Sequence, residues 1–351
     1  MAKYKDKNIF ETDLELGNKY RKEYLNSIET FVKNEFEKAE KNRDKLFEDN
    51  LLENQAKHRQ SFLEMIGQPI LPYSDDIPRA EFQKAGSDDM CNIEYVRIET
   101  MPGFWFFGIF MKPHGYSKTP LVIAQHGGGS TPEICSEMMG VSNYSCFTKR
   151  ALERGFSIFA PQLLLWNFEI DTGERKTEIH IPFNRIKIND SLRQLGLSIT
   201  GLEVFCIRRS IDYFSSLDSI DSNRIGMMGL SYGGYFSLHT AALDTRIKSI
   251  YAGAFFSDRS KICFSDWAYN NAANTFFDAE VCMLCAPRRL CIDVGKTDEV
   301  FDYSYSENES KRVKRYYSKF DADDEYRFNL WEGGHRFDSN GEGFEFFFDG
   351  I

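Results

Sequence analysis

From Cys91 onward the chain repeats one pattern: a short apolar run with no polar face, then a longer stretch whose apolar positions recur at helical spacing. The runs PLVIAQ (120–125), FSIFAPQ (156–162), RIGMMGL (224–230), IKSIYAGAFF (247–256), RRLCIDVG (288–295) and YRFNLWEG (326–333) predict strands. Helices are expected between and after them at about 143–154, 200–216, 232–242 and 306–320. Strands apolar on both faces belong to a parallel sheet covered by helices on both sides, since neither face then meets water. Ahead of them IEYVRIET (93–100) and FWFFGIFMKP (104–113) flank the turn residues MPG, which predicts an antiparallel hairpin. The expected fold class is α/β, with a mostly parallel central sheet flanked by helices and a site beyond the carboxyl ends of the strands.

The first 65 or so residues have a different texture, rich in Glu, Lys, Asn and Leu and without proline. Tyr24, Ile28, Phe31, Val32 and Phe36 fall near helical spacing, so one or two amphipathic helices are expected. Packing of their apolar face on the core is favoured over closing the site or joining subunits. Three prolines in 68–82 then interrupt any helix. This places an N-terminal helical extension at 1–85 and the α/β domain at 86–351. Residues 163–200 break the alternation, mixing Trp166, Phe168, Ile181, Phe183 and Ile186 with Arg185, Lys187 and Arg193. Such a segment is long for a strand-to-helix connection and reads as a lid-like insertion. The late aromatic run FEFFFDG (344–350) is expected to close the core or a subunit contact.

With 42% hydrophobic and 27% charged residues among 351, the composition is that of a folded globular chain. A net charge of −10 repels nucleic acid and anionic membrane surfaces, so neither is an expected partner. No apolar stretch approaches the roughly 18–20 residues that span a bilayer, and MAKYKDKNIFETDLELGNKY lacks a signal-peptide core. Eight scattered cysteines suit reduced thiols. The expectation is a cytoplasmic protein, with a homo-oligomer left open by the N-terminal helices. Cys282 and Cys285 form a CxxC with no second pair to complete a zinc site, so they read as a packed, reduced pair and no metal is expected.

The chemistry concentrates in three places. Gly229-Leu230-Ser231-Tyr232-Gly233-Gly234 is a G-x-S-x-G that follows a predicted strand and opens a predicted helix. There a tight turn lifts a serine hydroxyl above the sheet, and glycines are needed where side chains would collide. His126-Gly127-Gly128-Gly129 follows PLVIAQ, where glycines let backbone N–H groups approach an oxyanion. Gly128 is the first candidate donor, with Gly127 as the alternative and Tyr232 N–H as the partner. A phosphate-binding loop is the competing reading, but the P-loop lysine and G-x-G-x-x-G spacing are absent. Finally, His335 follows a late strand in LWEGGHRF, and Asp298 sits in the loop after RRLCIDVG. The chain order serine, acid, histidine fits a triad in which Asp298 orients His335, the base for Ser231. Glu299 and Asp302 are near alternatives for the acid, whereas Asp293 lies within the strand and is expected to face a side. His239 reads as a packing residue; His58, His114 and His180 lack a comparable context.

HGGGS at 126–130, LSITGLEVFCIRRSIDYF at 197–214, DSNRIGMMGLSYGGYFSLHTAALDTRI at 221–247, CAPRRLCIDVGKTDEVF at 285–301 and EGGHRF at 332–337 together resemble the dienelactone hydrolase-like branch of the α/β-hydrolase superfamily. The likeness is strongest to its acetyl xylan esterase-like group and covers roughly residues 90–345. It implies the α/β-hydrolase fold and hydrolysis of a small-molecule carboxylic ester, with nucleophile Ser231, acid Asp298, base His335 and no metal or organic cofactor. Dienelactone hydrolases proper use a cysteine nucleophile, so the serine here favours ordinary esters over lactones. A similar Gly-x-Ser-Tyr-Gly-Gly motif in prolyl-oligopeptidase-like peptidases keeps amide or peptide hydrolysis as an alternative, although the segment before it is too short for their propeller. A non-catalytic interaction protein that keeps the fold is the alternative of another class. For the substrate, Trp166 and Phe168, with Trp267 and Tyr269, suit stacking on a sugar or aromatic acyl group, and Arg193, Arg185 or Lys187 suits a carboxylate.

Overall fold

A computed structural model of the chain describes residues 14–48, 50–69, 76–140, 142–167 and 183–351. Two compact units result, Met1–Asp49 with Ala273–Thr275 and Asn50–Ala272 with Phe276–Ile351. The first consists mainly of helix α1 (Leu14–Leu46), near whose end Arg43 donates to the Ala273 carbonyl and Asn42 Nδ2 donates to Asn274 Oδ1 at 2.9 Å. Tyr24, Ile28, Phe31 and Val32, expected to pack on the core, are exposed along α1.

In the second unit helix α2 (Leu51–Ile66) buries His58, Phe62 and Ile66. Phe62 packs 5.4 Å from both the His239 and Phe276 rings. Arg59 donates to the Ala242 carbonyl at 2.7 Å and the Leu284 carbonyl at 3.0 Å, satisfying acceptors left open at two helix ends. The expected boundary at 85 therefore differs from the division at Asp49/Asn50: α2 belongs with the large unit, and a strand runs through position 85.

Among the described residues nine strands form one sheet in the order β1-β2-β3-β5-β4-β6-β7-β8-β9. They are β1 (Arg79–Ser87), β2 (Cys91–Met101), β3 (Phe104–Pro113), β4 (Thr119–Gln125), β5 (Ser157–Pro161), β6 (Ile220–Leu230), β7 (Ile247–Gly253), β8 (Arg289–Gly295) and β9 (Tyr326–Trp331). The first three and the β3–β5 pair are antiparallel, and all other pairs are parallel. The predicted hairpin is β2–β3, while β1 is an addition.

Helices connect and cover these strands: α3 (Pro132–Cys135), α4 (Phe147–Glu153), α5 (Phe183–Gln194), α6 (Ile199–Ser215), α7 (Tyr232–Leu243), α8 (Asp278–Cys285), α9 (Tyr303–Lys319) and α10 (Glu342–Phe348). Strand alternation sends side chains to both faces. On one face Val122, Ala124, Ile158 and Met228 meet Phe147 and Ala151 of α4 and Phe344, Phe347 and Phe348 of α10. On the other, Phe110 stacks on Phe214 of α6 at 5.0 Å and Phe159 packs against it at 4.9 Å with the rings tilted. The FEFFFDG run thus closes the core. Cys282 and Cys285 are free thiols buried in α8. Of the lid-like insertion, 168–182, which include Phe168 and His180, lie outside the described residues, and α5 forms part of the remainder. No helix among the described residues is long and apolar enough to cross a membrane.

Candidate active site

Parallel pairing brings the carboxyl ends of β4, β6, β7, β8 and β9 to one edge, where Gln125 lies opposite Gly229, Leu230 opposite Gly253 and Gly295 opposite Trp331. Ser231 caps α7 with φ 60° and ψ −123°, a backbone state that L side chains rarely adopt. Close packing of the turn sustains it. A Cβ on Gly229 would stand 2.3 Å from the Gly233 carbonyl oxygen, and one on Gly233 would stand 2.2 Å from that of Gln125. Those two positions therefore exclude any side chain, which is the physical content of the G-x-S-x-G spacing. The Ser231 N–H donates to the Gly253 carbonyl at 2.8 Å, tying the turn to β7.

Across the sheet edge, a Cβ on Gly127 would lie 3.3 Å from Ser231 Cβ, so the HGGG loop passes directly beside the serine. Its N–H groups are not equivalent. Gly127 donates to the Tyr144 hydroxyl at 2.6 Å and Gly129 to the Leu165 carbonyl at 2.7 Å. Gly127 is thus already committed, whereas Gly128 N–H has no hydrogen-bond partner among the described residues. Tyr232 N–H stands in the first turn of α7, where a helix offers its own amides no acceptor. His126 is wholly buried and orders the loop: its Nε2 accepts from Leu163 N–H at 2.9 Å, which leaves Nδ1 to donate to the Gly127 carbonyl at 2.9 Å. Burial lowers its pKa to about 4, and that of His239 to about 3, so both stay neutral as packing groups.

At the other side of the edge, His335 Nδ1 lies 2.9 Å from Asp298 Oδ2 and 3.1 Å from Oδ1. The Asp298 side chain is 1% exposed and Oδ1 also accepts the N–H groups of Val300 and Phe301 at 2.8 and 3.0 Å. Those bonds hold the carboxylate in one orientation. The Phe301 ring stacks on the imidazole, 6.0 Å between centroids and 15° from parallel. Glu299 and Asp302 are exposed, and Asp302 instead caps α9 by accepting Ser304 N–H, so Asp298 carries the contact to histidine. Two residues beyond His335, the Phe337 ring lies against Gly253, beside Leu230. Among the described residues no hydrogen bond joins His335 Nε2 to Ser231 Oγ.

Trp166 is half-buried just past Leu165, whereas Arg193 is exposed in the last turn of α5, with no hydrogen bond to Ser231, Asp298 or His335 among the described residues. Arg185, by contrast, is 1% exposed and buried between two carboxylates, Asp266 at 2.7 Å and Glu203 at 2.9 Å. Burial alone would lower its pKa, but Glu203 and Asp266 outweigh that and the guanidinium stays charged. Glu203 is pushed up by burial despite Arg185. Tyr144 and Asp266 were not legible beside the HGGG loop and Tyr232, because each is recruited from a distant segment with no local motif, and nothing in the loop after β8 showed that Phe301 would stack on His335.

Residues 203–277 match the acetyl xylan esterase (AXE1) family profile. Over 133 residues, 37% of the chain, the sequence is 29% identical to YtaP of Bacillus subtilis (strain 168), named as a hydrolase; the match spans 41% of that relative, less than half its length. Among solved structures, methylesterase BT1017 superposes with a TM-score of 0.62 at 19% identity, covering 90% of this chain and 68% of that one. The glucuronoyl esterase of Solibacter usitatus gives 0.60 at 13% identity, covering 83% and 90%. Acetyl xylan esterase 1 of Thermoanaerobacterium sp. JW/SL YS485 gives 0.56 at 14% identity, covering 85% and 93%. At these identities the likeness is one of fold. The chain has the α/β-hydrolase fold and is similar, through residues 203–277, to the acetyl xylan esterases.

Proposed function

We propose that the protein hydrolyses carboxylic esters of small molecules through an acyl-enzyme on Ser231. His335 Nε2 takes the hydroxyl proton as Ser231 Oγ attacks the ester carbonyl. The N–H groups of Gly128 and Tyr232 hold the oxyanion that forms. When the tetrahedral adduct collapses, the bond to the leaving oxygen breaks and His335 delivers its proton to the departing alcohol. A water molecule, deprotonated by His335, then attacks the acyl carbon, releasing the acid and restoring the serine. Asp298 keeps Nδ1 protonated throughout and stabilises the imidazolium. The observation that carries this reading is the buried, doubly anchored Asp298 paired to His335 on the same sheet edge as the strained Ser231 turn. With Gly127 committed to Tyr144, Gly128 is the favoured donor from the loop. Likeness to acetyl xylan, glucuronoyl and methyl esterases supports ester chemistry, with an acetyl ester of a sugar or aromatic alcohol as the first substrate class and Trp166 as its stacking platform.

The test is covalent labelling by a fluorophosphonate alongside hydrolysis of p-nitrophenyl acetate. Wild type is expected to label once, at Ser231, and Ser231→Ala to lose labelling and about 10⁶-fold in kcat, the order seen when a nucleophile is removed. Ester hydrolysis that survives in Ser231→Ala overturns the proposal.

A further inference from the structure

The two donors assigned to the oxyanion come from different segments, and a single buried side chain holds both segments. On one side, Tyr232 donates its hydroxyl to Asp266 Oδ1 at 3.0 Å, and Arg185 Nε donates to Asp266 Oδ2 at 2.7 Å. The Arg185 guanidinium lies 5.6 Å from the Tyr232 ring centre. On the other side, Arg185 Nη1 donates to Glu203 Oε2 at 2.9 Å and to the Leu164 carbonyl at 3.3 Å. Glu203 Oε1 accepts Leu164 N–H at 2.7 Å, so the carboxylate and the guanidinium grip the same peptide segment. That segment is the strut of the HGGG loop: Leu163 N–H holds His126 and the Leu165 carbonyl holds Gly129 N–H. Arg185 itself sits on α5, within the insertion between β5 and α6.

We propose that Arg185 is a positioning residue that sets the spacing between the Gly128 and Tyr232 donors, so that its guanidinium tunes transition-state stabilisation without itself touching substrate. The inference rests on the acyl-enzyme reading above. A planar guanidinium suits the role because its Nε and Nη1 donors diverge at a fixed angle, one to each half of the hole; a lysine ammonium has no such rigid fork. Displacements below an ångström matter here, because an oxyanion donor acts only near 2.7–3.1 Å from the developing charge.

A fall in activity by itself would not separate positioning from general structural support. Substrates that differ in their use of the hole do. A thionoester places sulfur, a larger and weaker acceptor, where the oxoester places oxygen, so it gains less from the two donors. Arg185→Met is expected to lower kcat/KM on an oxoester by about 10- to 100-fold, the order produced by misplacement of about 1 Å, and on the matching thionoester by about threefold. Loss is expected in kcat with KM little changed, and millimolar ethylguanidinium should restore part of it. Arg185→Lys is expected to recover less than guanidinium does. Because Arg185→Met leaves two carboxylates unpaired and its fold is at risk, Tyr232→Phe is the second variant. It removes one hydroxyl, and its oxoester-to-thionoester ratio should fall in the same direction, non-additively with Arg185→Met. Should folded Tyr232→Phe, or folded Arg185→Met, keep the wild-type ratio, the inference is overturned while the nucleophile stands. Failure of wild type to label at Ser231 overturns the underlying reading instead.

Discussion

Asp293 and Asp298 come from one stretch of chain, the body of β8 and the loop at its tip. Asp298 has left the strand. Its carboxylate meets the half-exposed ring of His335 and two backbone N–H groups, all aimed at the edge where Ser231 stands. Asp293 is 1% exposed within the sheet, where Asn329 Nδ2 donates to it at 2.6 Å and Asp338 N–H at 2.9 Å. Burial, with Asp338 nearby, raises its pKa to about 7. Two identical side chains thus diverge through position alone: the tip presents a carboxylate to a histidine, while the strand body encloses one and ties down the chain just beyond that histidine.

The contrast breaks most visibly at the tip. Asp298→Asn keeps the shape but lets the imidazole adopt the wrong tautomer, and kcat on p-nitrophenyl acetate is expected to fall about 10⁴-fold with little change in melting temperature. More than a tenth of the wild-type rate would mean that Asp298 is not the acid.

Asp293→Asn should act on stability and its pH dependence. The folded carboxyl holds its proton up to about pH 7, whereas the unfolded one loses it near 3.8. Between those values the folded state binds more protons than the unfolded state, so this group's stabilisation is complete below 3.8 and is lost as pH rises through 7. Asparagine imitates the protonated form. Urea unfolding at pH 5 and pH 8 should therefore show the variant gaining on wild type at the higher pH; a constant difference contradicts the assignment. Activity is expected to change by less than about tenfold, since Asp293 reaches His335 only through the chain that follows it.

The smallest effect belongs to Glu299, next to Asp298 yet exposed. Glu299→Gln is expected to alter kcat/KM by less than about twofold, within what exposed charges away from the reacting atoms contribute. A loss near that of Asp298→Asn in steady-state assays would show that the acid had been assigned to the wrong neighbour.

Much of this was legible in advance. Strands β4 to β8 announce themselves because their central residues are apolar on both faces, β9 alternates apolar and polar positions, and the G-x-S-x-G carries its own steric logic. β1 was missed because an edge strand exposes most of its side chains: its apolar content is little more than Phe82, which itself lies 38% exposed. α8 escaped for the opposite reason. It is buried all round, so no polar face marks a helical period. The apolar positions of α1 fit a helix but say nothing of what covers them, and Tyr24, Ile28, Phe31 and Val32 are exposed along it.

The amino-acid order by itself determined the class of fold, the turn at Ser231 and the chain order Ser231, Asp298, His335 beyond successive strand ends, because these follow from local periodicity and from where glycine alone fits. Tertiary structure alone decided that Asp298 rather than Glu299 or Asp302 faces His335, that Gly127 spends its N–H on Tyr144 while Gly128 does not, and that Arg185 bridges Asp266 and Glu203. Each of those depends on hydrogen-bond distances between segments far apart in the chain, set by the register of the parallel strands rather than by any neighbour in sequence.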